Sequence, residues 1–256
     1  MDNQQETSKG VAVIPAKDVP QACLLRIQRD IAEFNADPPP GIFIAPKEND
    51  ITNINAIVVG APGTPHEGGF FHFYVQCTVR YPLEPPKVRF LTTDAGRVQF
   101  NPHIYKSGSI CLNTLNTNGS TWSPVQSLIS LLISIQSLLS EMPKFIIVGH
   151  SERYESALQH ETIRVAVCDT VEACLQDNAP YAQTIKDAVL KKFTELYDKY
   201  ESVVKSKLHL TGTKMNDPMH LNSGTYQFEK LMTRLQDLKA KVTEKNKAAD
   251  AADANA

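Results

Sequence analysis

Neither sign of charge is in excess: 26 Lys and Arg stand against 28 Asp and Glu, a formal net charge of −2. A chain so balanced offers no electrostatic footprint for nucleic acid or for an anionic membrane surface as its main partner. Long apolar runs are missing too. The longest, over 128–139, is interrupted by Ser130, Ser134, Gln136 and Ser137, which leaves it too short and too polar to cross a bilayer. There is no Cys-x-x-Cys and no paired His and Cys cluster, so the usual zinc sites are excluded. His160-Glu161-Thr162-Ile163-Arg164 lacks the second histidine of a zincin helix. No phosphate-cradling glycine loop with a lysine and no Gly-x-Ser-x-Gly elbow is present, and nothing calls for a metal or a cofactor.

Cysteine is scarce. Cys23, Cys77, Cys111, Cys168 and Cys174 make an odd count without the spacing of a disulfide framework. The opening Met1-Asp2-Asn3-Gln4-Gln5-Glu6 has no basic cluster followed by an apolar core, so it is not read as a secretory signal. The expectation is a protein of the cytosol or nucleus with reduced thiols, where the Asn118-Gly119-Ser120 sequon stays idle.

What is there is enough for a large core with an appendage: 256 residues, 42% of them hydrophobic. Residues 1–17 read as a flexible lead-in. A helix follows, capped by Asp18 with Gln21 in the reciprocal position and Pro20 in the first turn. Leu24, Ile27, Ile31 and Phe34 form its buried face, Arg26, Arg29, Asp30 and Glu33 are left outside, and Pro38-Pro39-Pro40-Gly41 ends it. Strands over 42–45, 53–59, 70–79 and 87–91 are joined by short connections, which favours an antiparallel meander. Residues 91–122 show no periodicity. A central apolar helix then begins at Ser123 as cap, with Pro124 as first helical residue and Gln126 as reciprocal partner, and Met142-Pro143 closes it. An apolar patch, Phe145-Ile146-Ile147-Val148, lies in the loop beyond.

Further helices are predicted over 152–176 and from Pro180, the second with its stripe from Ile185 to Val204. Residues 207–224 read as an irregular connector. Phe228, Leu231, Leu235, Leu238 and Val242 make a last amphipathic helix that docks on the body or meets a partner. The expected organisation is a core over 18–206, a C-terminal extension over 207–244 and a disordered tail over 245–256. Early strands and late helices make the fold α+β.

Four cysteines fall on predicted helices or strands and read as small buried hydrophobes. Cys111 sits instead in the Gly- and Ser-rich stretch Lys106-Ser107-Gly108-Ser109-Ile110-Cys111, eight residues after Asn101-Pro102-His103. Composition alone leaves a reactive and an inert thiol equally open there, and spacing alone shows no Cys–His–Asp order of a cysteine protease.

Several blocks taken in order resolve this. Tyr81-Pro82-Leu83-Glu84-Pro85-Pro86, Asn101-Pro102-His103, Gly108-Ser109-Ile110-Cys111-Leu112 and Trp122-Ser123-Pro124, with the helix after them, resemble the catalytic core of ubiquitin-conjugating enzymes over about residues 18–175. Within the family, His160-Glu161-Thr162-Ile163-Arg164-Val165-Ala166-Val167-Cys168-Asp169 and the long extension point to the large Z-type. The resemblance implies the fold of that family and a role for each matched residue. Cys111 is expected to accept ubiquitin or a ubiquitin-like modifier from an activating enzyme as a thioester and pass it to a lysine of a substrate protein, with a ubiquitin ligase as partner. Leu83, Pro124 and Val125 stand where the family meets ligase domains, and Arg26 and Arg29 fit a basic face for the activating enzyme.

The chain departs from the family's His-Pro-Asn turn, with asparagine at 101 and histidine at 103. An imidazole N–H can still donate, so His103 is expected to support the oxyanion or the loop around it. No residue of 141–156 is assigned to the family's gate after the central helix. The rival reading is a catalytically silent variant that binds ubiquitin and partners without carrying it.

Overall fold

The computed structural model describes residues 19–112, 115, 122–140 and 151–253. Asp18, the Asn118-Gly119-Ser120 sequon, Met142-Pro143 and the 145–148 patch lie outside the described residues. The order of elements is α1 (Gln21–Ala36), strands β1 (Ile42–Lys47), β2 (Asp50–Val59), β3 (Phe70–Gln76) and β4 (Lys87–Phe90), then α2 (Leu128–Ser140). Next, α3 (Ser151–Glu161) runs through a π-helical stretch (Thr162–Asp169) into α4 (Thr170–Leu175), followed by α5 (Gln183–Lys207) and α6 (Phe228–Asp253).

The strands form one antiparallel meander in the order β1-β2-β3-β4, as their short connections predict. Pro46 has no N–H to give, and β1 is an edge strand, where that loss is tolerated. Register decides what each face buries. Ile54, Ala56, Val58, Phe71 and Phe73 point to α1 and α2, while Ala45, Ile57, Val59 and Phe70 point to the π-helical stretch and α5. With cover on both faces, β3 reads Phe-Phe-His-Phe-Tyr-Val-Gln, an apolar run rather than a strict alternation.

α6 docks on the body. Phe228, Leu231, Leu235, Leu238 and Val242 are all buried, each worth about 1.5–3 kcal/mol of transfer free energy. Arg234 adds hydrogen bonds to Glu172 at 2.6 Å, Asp169 at 2.5 Å and the carbonyl of Arg164 at 3.1 Å. Those charges are partly exposed and contribute less than the apolar stripe. The helix continues through Lys245 to Asp253, where the sequence reads as a disordered tail; Ala and Lys are good helix formers and extend a helix already anchored. The 207–224 connector is more ordered than its composition predicts. It forms a hairpin in which Met215 N–H bonds to Gly224 O at 2.8 Å and Tyr226 N–H to Thr213 O at 3.0 Å.

Two expectations near α1 and α2 are corrected. Asp30, read as a surface residue, is 1% exposed, and it accepts from Arg26 Nε at 2.8 Å and from the Tyr81 hydroxyl. The central helix begins at Leu128, not at Pro124. Arg26 explains the shift: its two terminal nitrogens take the carbonyls of Pro124 (2.8 Å) and Gln126 (2.7 Å), acceptors that a first helical turn would use. Asp30 Oδ2 faces the Leu128 N–H at 3.4 Å. Half of the expected reciprocal pair forms (Ser123 N–H to Gln126 Oε1, 3.2 Å), but the Ser123 hydroxyl accepts from Val125 N–H at 3.4 Å and Gln126 N–H goes to the Ser123 carbonyl at 2.9 Å, which closes only a turn. The working cap is Ser127, whose hydroxyl accepts from Ser130 N–H at 3.3 Å while Ser130 Oγ accepts from Ser127 N–H at 3.0 Å. α1 itself starts after Pro20, with no side-chain cap among the described residues. α5 starts at Gln183, three residues past Pro180.

Candidate active site

Residues 101–111 fold back on themselves as a small hairpin. Cys111 N–H donates to His103 O at 2.7 Å, Tyr105 N–H to Ser109 O at 2.9 Å, and Ile104 bridges Ile110. Side chains alternate across such a pair. Ile104 and Ile110 are buried, so His103 and Cys111 share the outer face directly opposite each other, His103 exposed and Cys111 half-buried.

Gly108 makes the tip possible. Its φ of +87° lies in the left-handed region, its carbonyl accepts from Phe90 N–H at 2.8 Å, and an added Cβ would sit 2.6 Å from Phe90 O. Gly108→Ala is expected to cost about 2–3 kcal/mol, read as a lower urea midpoint with an unchanged slope. A loss under about 0.5 kcal/mol would mean that the turn relaxes freely.

The base of the hairpin is held by Asn101, which is 3% exposed. Its Oδ1 accepts from His103 N–H at 2.8 Å, and its Nδ2 donates to Leu138 O in the last turn of α2, also at 2.8 Å. Residue 101 therefore performs the bracing and residue 103 faces outward beside the thiol. The other four cysteines are buried; burial pushes the thiols of Cys168 and Cys174 up to about 12, and those of Cys23 and Cys77 upward as well. A thiol held protonated in this way is a poor nucleophile. Among the described residues, no group of three or more His, Cys, Asp or Glu side chains is gathered to hold a metal.

Two loops flank α1. Trp122 Nε1 donates to Pro82 O at 2.6 Å, which ties the loop of Leu83 to the loop of Pro124 and Val125. Leu83 is 68% and Val125 89% exposed, so both are apolar side chains offered to solvent beside a braced backbone.

A model of the ubiquitin-conjugating enzyme family matches residues 26–146, a span that contains the braced hairpin and both loops. Ubiquitin-conjugating enzyme E2 Z of Xenopus tropicalis is 43% identical over 234 residues, covering 88% of this chain and 74% of that protein. The human E2 Z protein is 42% identical over 232 residues, 87% of this chain and 64% of its own length. The chain belongs to the ubiquitin-conjugating enzyme family. The relatives are Z-type members, as the His160-to-Asp169 block and the long extension predict, and the enzyme is a transferase. A solved structure of human ubiquitin-conjugating enzyme E2 G1 is 30% identical with a TM-score of 0.43, covering 48% of this chain and 98% of its own.

In this ubiquitin-conjugating enzyme the two arginines of α1 have different surroundings. Arg26 is engaged with Asp30 and the 124–126 turn, whereas Arg29 is exposed and paired with Glu33 at 2.7 Å. Sequence reasoning missed Asp30, Gln99, Asp217 and Asn222, all buried polar residues around the site. Asp30, Gln99 and Asn222 carry no local signal, because each bonds to a partner distant in sequence, whereas Asp217 accepts from the nearby N–H groups of Met219 and Asn222 within its own turn.

Proposed function

We propose that Cys111 is the thioester carrier of this ubiquitin-conjugating enzyme. Its thiolate attacks the carbonyl of a modifier held as a thioester on the activating enzyme. A C–S bond forms to Cys111 and the C–S bond to the activating cysteine breaks, with the proton passing to the departing sulfur. A substrate lysine amine then attacks the same carbonyl. A C–N bond forms, Cys111 Sγ leaves, and the amine proton is lost to the departing thiolate or to solvent. His103, beside the thiol on the same face, donates an imidazole N–H to the developing oxyanion or steadies the loop that does. The observation that carries this reading is the contrast between the five cysteines: only Cys111 combines partial exposure with a braced, outward-facing hairpin.

The partners that fit are ubiquitin or a ubiquitin-like modifier, an activating enzyme, a ligase and substrate proteins. Leu83, Pro124 and Val125 would form the ligase face, and Arg29 of α1, with Arg26 bracing behind it, the face toward the activating enzyme. The compartment that suits reduced thiols is the cytosol or nucleus.

The test is a non-reducing gel after incubation with activating enzyme, modifier and ATP. A reductant-sensitive band on the wild type, lost in Cys111→Ser, is the expected outcome. Its absence across a panel of activating enzymes and modifiers would favour the silent scaffold.

A further inference from the structure

The C-terminal extension reaches the active-site turn. Asp217 stands at the tip of the 212–226 hairpin and is 3% exposed. Its two oxygens accept from the N–H groups of Met219 and Asn222, each at 2.9 Å, which sets the direction of Asn222. The Asn222 amide then pairs with the backbone of Gln99 at two points. Nδ2 donates to Gln99 O at 2.9 Å and Oδ1 accepts from Gln99 N–H at 3.0 Å, across 123 positions of sequence. Gln99 Nε2 in turn donates to Asn101 O at 3.1 Å, and Asn101 is the residue that holds the His103 N–H and the end of α2. Gln99, Asn101, Asp217 and Asn222 are each no more than 9% exposed. Little water can substitute for a broken link, so a missing partner leaves a buried amide unsatisfied. The hairpin that presents Asn222 is itself anchored where Gln227 N–H donates to the buried His160 Nε2 at 3.0 Å.

We propose that Asn222 and Gln99 are positioning residues for ubiquitin transfer: the extension sets, through them, the orientation of the turn that carries His103 opposite Cys111. Neither touches the reacting atoms; they act through Asn101. The proposal rests on Cys111 being the carrier, and its test separates the two.

Gln99→Met keeps the side-chain volume and leaves the Asn222 pair to the Gln99 backbone intact, cutting only the link to Asn101 O. Asn222→Ala cuts the link from the extension. In the full chain, each is expected to slow single-turnover discharge of a preformed Cys111 thioester to free lysine about tenfold. The loss should lie in the maximal rate, with the lysine concentration at half-maximal rate unchanged and loading within about twofold. The double variant should be no slower than the slower single, since both cut one chain. Amide exchange at His103, whose N–H is held by Asn101, should speed up at least tenfold in both variants. Wild type alone decides whether Cys111 carries a modifier, and the exchange measurement decides the positioning role even if it carries none. Unchanged exchange at His103 in a folded Gln99→Met chain would overturn the proposal. So would additive losses in the double variant, or loading and discharge falling together in step with the thermal midpoint.

Discussion

His103→Ala is expected to slow discharge of the Cys111 thioester to lysine about 100-fold, the scale of losing one oxyanion donor. Thioester exchange from the activating enzyme should suffer much less. In that step the nucleophile is a thiolate and the two thioesters are nearly equal in energy. In discharge a neutral amine must attack, and the barrier depends on stabilising the charge that gathers on the carbonyl oxygen. The substitution is a clean probe because the side chain of His103 is exposed while its backbone makes the structural bonds. The carbonyl accepts from Cys111 N–H and the amide donates to Asn101 Oδ1. Alanine keeps both, so the hairpin should survive and the thermal midpoint should barely move. His103→Asn returns an N–H donor of shorter reach and should recover part of the rate. Quenched-flow or gel assays of loading and of discharge, run separately, measure the split. If both rates are unchanged in His103→Ala, the imidazole has no part in transfer.

The second large effect is on stability. His66 and His72 are buried, and burial lowers the pKa of each to about 4 from the ordinary 6.5. His66 lies edge-on to Phe71, ring centres 5.7 Å apart, and its Nδ1 has no hydrogen-bond partner among the described residues. His72 Nε2 is 3.0 Å from Asn55 Oδ1, and its ring packs on Tyr181 at 4.9 Å. Below the ordinary value the unfolded chain takes up a proton at each site that the folded chain refuses, so folding stability falls as pH is lowered. The loss begins near pH 6.5, is complete near pH 4 and amounts to about 1.4 kcal/mol per pH unit for each histidine, or roughly 3 kcal/mol each. Two such sites together are a large share of a typical domain's stability. Urea denaturation at half-unit steps from pH 7 to pH 4.5 should show the decline, and nuclear magnetic resonance should find both rings neutral in the folded chain from pH 7 down to about pH 5. A flat stability profile between pH 6.5 and pH 5 would refute it. Glu161 adds a loss in a lower window. Its burial would raise its pKa, but hydrogen bonds from His160 and Arg164 hold it below the usual carboxylate range. Its contribution is present above the ordinary carboxylate pKa and disappears only as pH falls through the lowered value.

The elements legible in the sequence were those whose signal is local. The meander follows from short connections between strand-like runs, and the stripe of α6 from its spacing of three and four. The proposal for Cys111 draws on its ordered neighbours rather than its own surroundings, since a Gly- and Ser-rich segment alone does not distinguish a reactive thiol from an inert one.

Other features depended on contacts between distant segments. Helical pattern and capping chemistry both placed the start of α2 at Pro124, yet Arg26 captures the carbonyls that the first turn needs and moves the start to Leu128. Asp30 has the composition of a surface charge and becomes a buried acceptor because Arg26 and Tyr81 converge on it.

The Asn101-Pro102-His103 turn shows the division most clearly. The sequence by itself determined that the ends of the family's turn are exchanged, and that a histidine lies eight residues from the cysteine. Only the tertiary structure decided what the exchange means. The hairpin register sets His103 opposite Cys111, α2 gives Asn101 a carbonyl to brace against, and a hairpin more than a hundred residues later steadies both through Asn222. The physical reason is that hydrogen-bond partners are chosen by position in space. Sequence pattern reports periodicity and local propensity, while the partner of a buried amide is known only once the chain has closed around it.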